Sequence, residues 1–173
     1  PTRPDYEVPG MASIDYLVGR PEVDADRIGL IGISMGGYYA PRTAAFEKRI
    51  KALIGWCGCY SMLDDLYKFC AHLQPTVQRL LGGVSDGEAR QRLEAFTMAG
   101  IAANITCPTL ITHGADDTLM DVEGAKRLFN EIGAKDKTLM IRDQAELGGT
   151  IHCSHDYWAH NIPFMLDWLE ERL

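Results

Sequence analysis

The chain has 173 residues, of which 46% are hydrophobic and 24% charged, a balance typical of one globular domain with a sizeable core. Its net charge is −7 and no cluster of Lys or Arg stands out, which argues against nucleic acid or an acidic membrane surface as a partner. No apolar run approaches the length of a membrane span, and residues 1–6 do not have the character of a signal peptide.

Cysteine usage bears on the cellular compartment and on metal binding. The chain has five cysteines, an odd number at irregular spacing: Cys57, Cys59, Cys70, Cys107 and Cys153. This pattern favours reduced, mostly buried thiols and a cytoplasmic location. A metal site is the weaker alternative, because no paired C-x-x-C or H-x-x-x-H spacing occurs. We therefore expect neither a metal ion nor a cofactor.

The first part of the chain predicts helices that alternate with strands. Residues 11–18 have helical periodicity, and residues 27–33 and 50–57 are short apolar runs of strand type. Between these runs we expect a helix that ends near Phe46.

The segment 61–103 is too long for a simple crossover between strands. It is predicted to be mostly helical, with interruptions at Pro75 and at Gly82 and Gly83. Ser85 and Glu88 have the spacing of a capping box, so a helix is expected to begin at residue 86. We interpret the segment as a helical lid over the site, because long insertions are usually functional; an ordinary pair of surface helices is the alternative.

The remaining elements complete an α/β pattern. We expect strands over residues 109–113 and 138–141 and an amphipathic helix over residues 122–132. A final helix follows, with Asn161 as its cap and Pro163 in its first turn. Its apolar stripe comprises Ile162, Met165, Leu166, Trp168 and Leu169. Strands alternating with helices predict a mainly parallel sheet with helices on both faces.

A serine motif stands between the strand 27–33 and the next helix. Residues 32–36 read G-x-S-x-G, which in this context is typical of the nucleophile elbow of an α/β-hydrolase. Gly32 and Gly36 would allow the tight turn, and Ser34 would be lifted above the sheet. The amide of Met35, in the first turn of the helix, would point at a reacting carbonyl oxygen and form part of an oxyanion hole.

A serine nucleophile needs a base, and the base needs an acid to orient it. In α/β-hydrolases the chain order is Ser, then Asp or Glu, then His. Asp116 and Asp117 follow the strand 109–113, at an edge where catalytic groups gather. We favour Asp117, because it fits an H-G-x-x-D spacing while Asp116 is suited to holding the turn. Both could instead only cap the next helix.

The base is expected after the strand 138–141. His152 lies in a glycine-bearing loop that could bring it over Ser34, and His155 is the alternative. We favour His152. We interpret His113 as structural, and His72 and His160 as residues of the lid or the surface.

These residues resemble the α/β-hydrolase superfamily over essentially the whole chain. Residues 31–42 and 152–155 are similar to the group of 2,6-dihydroxypseudooxynicotine hydrolase and of hydrolases that shorten polyketide chains in fungal pigment synthesis. This resemblance implies a Ser–Asp–His triad that acts on an ester, or on a ketone whose carbon–carbon bond is cleaved.

The chain departs from the superfamily pattern at its start. Only 26 residues precede Arg27, whereas a full α/β-hydrolase has several strands and helices before the elbow, including the loop that gives a second oxyanion amide. We therefore expect residues 1–173 to be the C-terminal part of a hydrolase domain whose N-terminal strands are missing. Its unpaired strand edge predicts a homo-oligomer or association with the missing half.

The expected function is that of a serine hydrolase acting through an acyl-enzyme on a small-molecule carbonyl substrate. Ser34 would be the nucleophile, His152 the base and Asp117 the residue that orients it. The alternatives are an acyltransferase or peptidase with the same triad, or a binding protein with a degenerate hydrolase fold.

Overall fold

The fold is built around one parallel sheet. The computed structural model describes all residues from Pro1 to Leu173. Its four strands pair in the order β1-β2-β3-β4 and are Ile28–Ile33 (β1), Ile50–Trp56 (β2), Thr109–Gly114 (β3) and Lys137–Arg142 (β4). Each neighbouring pair is parallel, so all four carboxyl ends meet at the same edge of the sheet. The predicted strands are confirmed, with ends that differ by about one residue.

Six α-helices accompany the sheet. They are Glu7–Val18 (α1), Gly36–Phe46 (α2), Gln74–Leu80 (α3), Asp86–Leu93 (α4), Val122–Glu131 (α5) and Trp158–Glu170 (α6). The capping box of Ser85 and Glu88 is present at the start of α4, as the sequence predicts. None of these helices combines the length and the apolar character needed to cross a bilayer.

The central strands of the sheet are more buried than the edge strand β1. All residues of β3 and nearly all of β2 are buried, because helices cover both faces there. Strand β1 is at the edge, where the side chains of Ile31 and Ile33 are 41% and 43% exposed. The unpaired edge expected from the sequence is therefore present in this chain, and the association expected from it stays a prediction.

The segment between β2 and β3 is less regular than predicted. A π-helix covers Met62–Lys68 and a short 3₁₀ turn covers Ala71–Leu73, before α3 and α4. Pro75 does not interrupt a helix, contrary to the prediction, because it stands in the first turn of α3, where no amide is needed. The segment is anchored by Asp65, whose Oδ2 accepts hydrogen bonds from the amides of Tyr60 and Ser61 at 2.8 Å each.

The final helix begins earlier than predicted. Asn161 and Pro163 lie inside α6, which begins at Trp158, so the expected cap and the first-turn proline are wrong. The Oδ1 of Asn161 accepts a hydrogen bond from Arg142 at 2.7 Å instead of capping the helix. Trp158 donates from Nε1 to the Cys153 carbonyl at 2.8 Å, and this contact fixes the extra turn. The predicted stripe is also partly wrong, because Ile162 and Leu166 are exposed.

The cysteines are all free thiols. Four of them are buried, and Cys107 is partly exposed. This agrees with the expectation of reduced, mostly buried thiols, and the cytoplasmic location inferred from them stays a prediction.

Candidate active site

Ser34 lies on a tight turn between β1 and α2. Its backbone is in the left-handed region, with φ of 57°, which costs a residue with a side chain about 1 kcal/mol or more. The turn is held because the Ser34 amide donates to the Trp56 carbonyl at 3.0 Å. A Cβ atom at Gly32 would lie 2.0 Å from the Gly36 carbonyl oxygen, so no side chain fits there. Backbone packing therefore forces Ser34 into its position.

The second glycine of the motif plays a smaller steric part than expected. A Cβ atom at Gly36 would meet nothing within 4 Å, so Gly36 is not required by lack of space. The close approach is at the next residue, where a Cβ on Gly37 would lie 2.0 Å from the Cys57 carbonyl oxygen. Gly37 lets α2 pack directly on the end of β2, and this replaces the role expected for Gly36.

The structure brings together the three residues favoured from the sequence. Ser34 Oγ lies 2.9 Å from His152 Nε2, and His152 Nδ1 lies 2.7 Å from Asp117 Oδ2. The Asp117 carboxylate can only accept, so Nδ1 carries the proton and Nε2 of the neutral ring is free to accept from Ser34. The three side chains thus form one continuous chain of hydrogen bonds.

Asp117 is held rigidly as an anion. Its Oδ1 accepts hydrogen bonds from the amides of Leu119 and Met120 at 2.8 and 3.0 Å, and its side chain is fully buried. Burial raises the pKa of the carboxyl, but hydrogen bonds with His113 and His152 outweigh this effect and leave the pKa well below its usual value. The neighbouring Asp116 is exposed, and only its backbone amide bonds the loop, through the Thr150 carbonyl.

His152 has a pKa raised to about 9. Burial alone lowers the pKa of an imidazole, but the hydrogen bond to Asp117 and the adjacent Cys153 sulfur raise it by more. The alternative base, His155, is exposed, and its ring packs on Trp158 with 4.9 Å between centroids. No hydrogen bond links His155 to Ser34. His72 and His160 are exposed as well.

His113, which the sequence predicts to be structural, contacts the proposed orienting residue Asp117 in the folded chain. Its fully buried Nε2 lies 3.0 Å from the Met120 carbonyl and 3.2 Å from Asp117 Oδ2. A carbonyl can only accept, so Nε2 carries the proton and also faces the carboxylate. His113 therefore helps to position Asp117. The H-G-x-x-D spacing agrees with this contact, because His113 near the end of β3 and Asp117 in the next loop lie at the same edge of the sheet.

Two thiols also adjoin this chain of hydrogen bonds. Cys57 Sγ lies 3.5 Å from Asp117 Oδ2 and accepts a hydrogen bond from the Cys153 amide at 3.0 Å. The hydrogen bond with Cys57 and the charge of His152 lower the pKa of the Cys153 thiol, and contact with Cys153 raises that of Cys57. The sequence does not predict that Cys57 and Cys153 meet beside His152, because 96 positions separate the two cysteines.

The Met35 amide, which the sequence predicts to be an oxyanion donor, directly follows Ser34 at the start of α2. Met35 is the N-cap of α2, and the first amides of a helix have no acceptor within the helix. The positive end of the helix dipole therefore lies beside Ser34 Oγ, where a developing negative charge would be stabilised.

A mostly apolar cavity of about 370 Å³ opens onto Ser34 and His152. One wall comes from the segment between β2 and β3, with Leu66, Leu73, Val77 and Leu80, and Leu119 closes another side. No carboxylate, Lys or Arg lines the cavity. It would therefore accept an uncharged apolar group next to the serine. The role of the segment as a movable lid stays a prediction.

A parallel sheet with helices around it, and a serine on the strand-to-helix turn at its carboxyl edge, define the α/β-hydrolase class. Residues 10–173 match the prolyl oligopeptidase family, and the chain belongs to that family.

Named relatives agree with this assignment. The chain is 28% identical over 171 residues to 2,6-dihydropseudooxynicotine hydrolase of Paenarthrobacter nicotinovorans, across 98% of this chain and 44% of that protein. The crystal structure of 2,6-dihydroxy-pseudo-oxynicotine hydrolase superposes with a TM-score of 0.86 at 28% identity, covering 99% of this chain and 47% of the other. Hydrolase ORFZ of Pyricularia oryzae is 39% identical over 179 residues, across 75% of this chain and 40% of that protein.

The resemblance expected from the sequence is confirmed by these comparisons, and the relatives are hydrolases. The chain spans less than half of the length of each of the three proteins.

Proposed function

We propose that this chain carries the catalytic residues of a serine hydrolase. Ser34 is the nucleophile, His152 is the general base, Asp117 orients His152, and the Met35 amide is one oxyanion donor. The single observation that carries the proposal is the hydrogen-bond chain from Ser34 Oγ to His152 (2.9 Å) and from His152 to Asp117 (2.7 Å).

The proposed reaction has two halves. In the first, Ser34 Oγ attacks the substrate carbonyl while His152 Nε2 takes the hydroxyl proton, and the negative oxygen is stabilised near the Met35 amide. The leaving group then departs with the proton from His152, which leaves an acyl group on Ser34. In the second half, His152 activates a water molecule, and hydrolysis releases the acid and the free serine.

The substrate class we propose is a carboxylic ester, or a ketone or β-diketone whose carbon–carbon bond is cleaved. A carbon leaving group must depart as a stabilised carbanion or enol, which a β-diketone or an acyl-phenol provides. The lining is mostly apolar and contains no carboxylate, Lys or Arg to pair with a charged substrate, which favours either of these neutral substrates. The similarity to 2,6-dihydropseudooxynicotine hydrolase also supports a carbonyl substrate of this kind.

A peptidase with the same triad is the second candidate, and the match to the prolyl oligopeptidase family favours it. The two candidates share the acyl-enzyme and differ only in the leaving group. Turnover of an aryl ester, a β-diketone and a prolyl-peptide amide by the same preparation distinguishes them. We expect the amide to be the slowest of the three substrates, and an amide that is hydrolysed fastest would favour the peptidase.

A fluorophosphonate probe tests the proposed nucleophile, because only an activated serine is labelled. We expect one label per chain in the unmodified protein and none in Ser34→Ala. The matched control is Ser154→Ala, which removes a buried hydroxyl of the same loop as His152 that bonds only to the Gly149 carbonyl. Labelling that persists in Ser34→Ala would contradict the proposal.

A further inference from the structure

Two thiols and an imidazole converge beside the proposed base, although neither thiol belongs to the hydrogen-bond chain that starts at Ser34. The Sγ atoms of Cys57 and Cys153 and a ring nitrogen of His152 all lie within 4.8 Å of one another. In tetrahedral zinc coordination, with Zn–S near 2.3 Å and Zn–N near 2.0 Å, ligand atoms lie roughly 3.5–3.8 Å apart. Closing this gap requires side-chain movements of about 1 Å or less.

We propose that Cys57, Cys153 and His152 bind a soft divalent cation, with Zn²⁺ as the reference ion, and that the bound ion inhibits the hydrolase. Inhibition rests on the proposed function, because it requires His152 to be the base. The binding site itself does not depend on it.

The donor set favours soft cations. Two sulfur donors and one imidazole select Zn²⁺, Cd²⁺ or Co²⁺ over Mg²⁺ and Ca²⁺, which prefer oxygen. Asp117 Oδ2 lies 3.5 Å from Cys57 Sγ and 2.7 Å from His152 Nδ1, so its negative charge adjoins the three donors. Both sulfurs bind the ion as thiolates, so a thiol proton present before binding is released to the solvent, and the two negative charges neutralise that of the ion.

The backbone holds the two sulfur atoms in place. Cys57 and Cys153 both have left-handed backbones, with φ of 61° and 52°, on the loops that follow β2 and β4. The Cys153 amide donates to Cys57 Sγ at 3.0 Å and fixes the orientation of that sulfur. Cys153 and His152 also line the cavity that contains Ser34, so an ion can reach the cluster by the route proposed for the substrate.

Inhibition follows from what a bound ion does to His152. A metal on the imidazole occupies a nitrogen lone pair or replaces the proton shared with Asp117. In either case the ring can no longer take the proton of Ser34 while Asp117 stabilises its charge. The proposed hydrolase needs a neutral His152 ring, and the bound ion acts on that same ring.

A second thiol and histidine pair supplies the control. Cys70 Sγ lies 3.3 Å from His72 Nδ1 within the segment that lines the cavity, and this pair offers only two donors. If zinc inhibited through Cys70 and His72, replacement of Cys70 would remove the effect. Cys59 is a further control, because it is fully buried near the same strand end but belongs to no such cluster.

The first arm of the test is inhibition of ester hydrolysis by chelator-buffered Zn²⁺, expressed relative to the uninhibited activity of each variant. Serine keeps a hydroxyl that can replace the hydrogen bonds of the thiol but binds zinc poorly. We expect Cys57→Ser and Cys153→Ser to need at least about tenfold more zinc for half-inhibition. Cys59→Ser and Cys70→Ser should behave as the unmodified protein does.

The second arm measures binding without activity. Co²⁺ bound by thiolates gives a strong charge-transfer absorption, which we expect in the unmodified protein and in the inactive Ser34→Ala, but not in Cys57→Ser or Cys153→Ser. Failure of the proposed function would leave this absorption intact. Its absence from the unmodified protein, its persistence in both serine variants, or its loss in Cys70→Ser would overturn the metal site.

Discussion

The turn that carries the proposed nucleophile (residues 32–37, the nucleophile turn) and the loop that carries the proposed base (residues 148–155, the base loop) meet at the same site. The two segments are held in different ways. The nucleophile turn is fixed by backbone contacts so close that Gly32 and Gly37 leave no room for a Cβ atom. The base loop is irregular, with left-handed backbone at Gly148, Gly149 and Cys153. Its backbone also passes close to the end of β3, but its side chains His152 and Ser154 are held by hydrogen bonds.

Because of this difference, we expect the nucleophile turn and the base loop to respond differently to substitutions. A turn fixed by steric exclusion should fail when a methyl group is added at the contact, because main-chain atoms would have to move. A loop fixed by hydrogen bonds should keep its fold when one side chain changes, while the charge and orientation of His152 shift. Four predictions test the comparison, from the largest expected effect to the smallest.

The largest effect is expected from His152→Ala. Base and nucleophile act as one unit, so we expect a loss in kcat of about a millionfold, equal to that of Ser34→Ala, with the fold retained. His155→Ala is the matched control and should keep most of the activity, because no hydrogen bond links His155 to Ser34. The measurement is ester turnover by the purified variants. A greater loss in His155→Ala than in His152→Ala would mean that the base loop presents the other histidine.

Asp117→Asn is expected to lower kcat by about ten-thousandfold, because an amide cannot hold His152 in the required tautomer as a carboxylate does. Asp116→Asn changes an exposed side chain and should lower kcat by less than about tenfold. Steady-state kinetics of the two variants shows which of the two carboxylates orients His152. Equal losses would show that the neighbouring carboxylate contributes as much as the buried one.

Much of this site could be predicted from the sequence, but the reasons differ between its two halves. Ser34 is marked by a local motif, because strand, turn and helix are adjacent in the chain. The pairing of Ser34 with His152 spans 118 positions, and it could be predicted only from the expectation that parallel strands end at one edge. The parallel sheet itself followed from the alternation of apolar runs and helical periodicity.

The contacts that the sequence did not reveal are those that arise only in the folded chain. The sequence does not predict the contact of His113 with Asp117, because this contact depends on how the loop after β3 folds back. The meeting of Cys57 and Cys153 depends on two loops that have no shared spacing. The early start of α6 depends on the contact of Trp158 with the base loop, which overrides the local signals of Asn161 and Pro163.

Gly32→Ala tests steric exclusion at the nucleophile turn. The added methyl group would lie 2.0 Å from the Gly36 carbonyl oxygen, and we expect a decrease in the free energy of unfolding of roughly 1–3 kcal/mol. Gly36→Ala is the matched control, because its methyl group would meet nothing within 4 Å. Urea unfolding measures both variants. A Gly36→Ala variant that is less stable than Gly32→Ala would contradict the account of the turn.

The smallest effect is expected from Cys153→Ser, which changes only the surroundings of His152. The pKa of His152 is raised to about 9 in part by the Cys153 sulfur, and the base must be neutral to act, so kcat/KM should rise as the pH increases through that value. Removing the sulfur removes one cause of the increase, and the midpoint should move to lower pH. The profile is measured with a chelator present, and Cys59→Ser is the control. A midpoint that stays in place or moves to higher pH would contradict this explanation.

The most direct test of the central claim is to trap the acyl-enzyme. The protein is mixed with an activated aryl acetate, quenched in acid during the first turnover, and analysed by intact mass and peptide mapping. We predict one acetyl group per chain, on Ser34, together with a burst of the aryl alcohol equal to the concentration of active protein. An acetyl group on another residue, or turnover with no acyl-enzyme and no burst in a rapid-mixing experiment, would contradict the account.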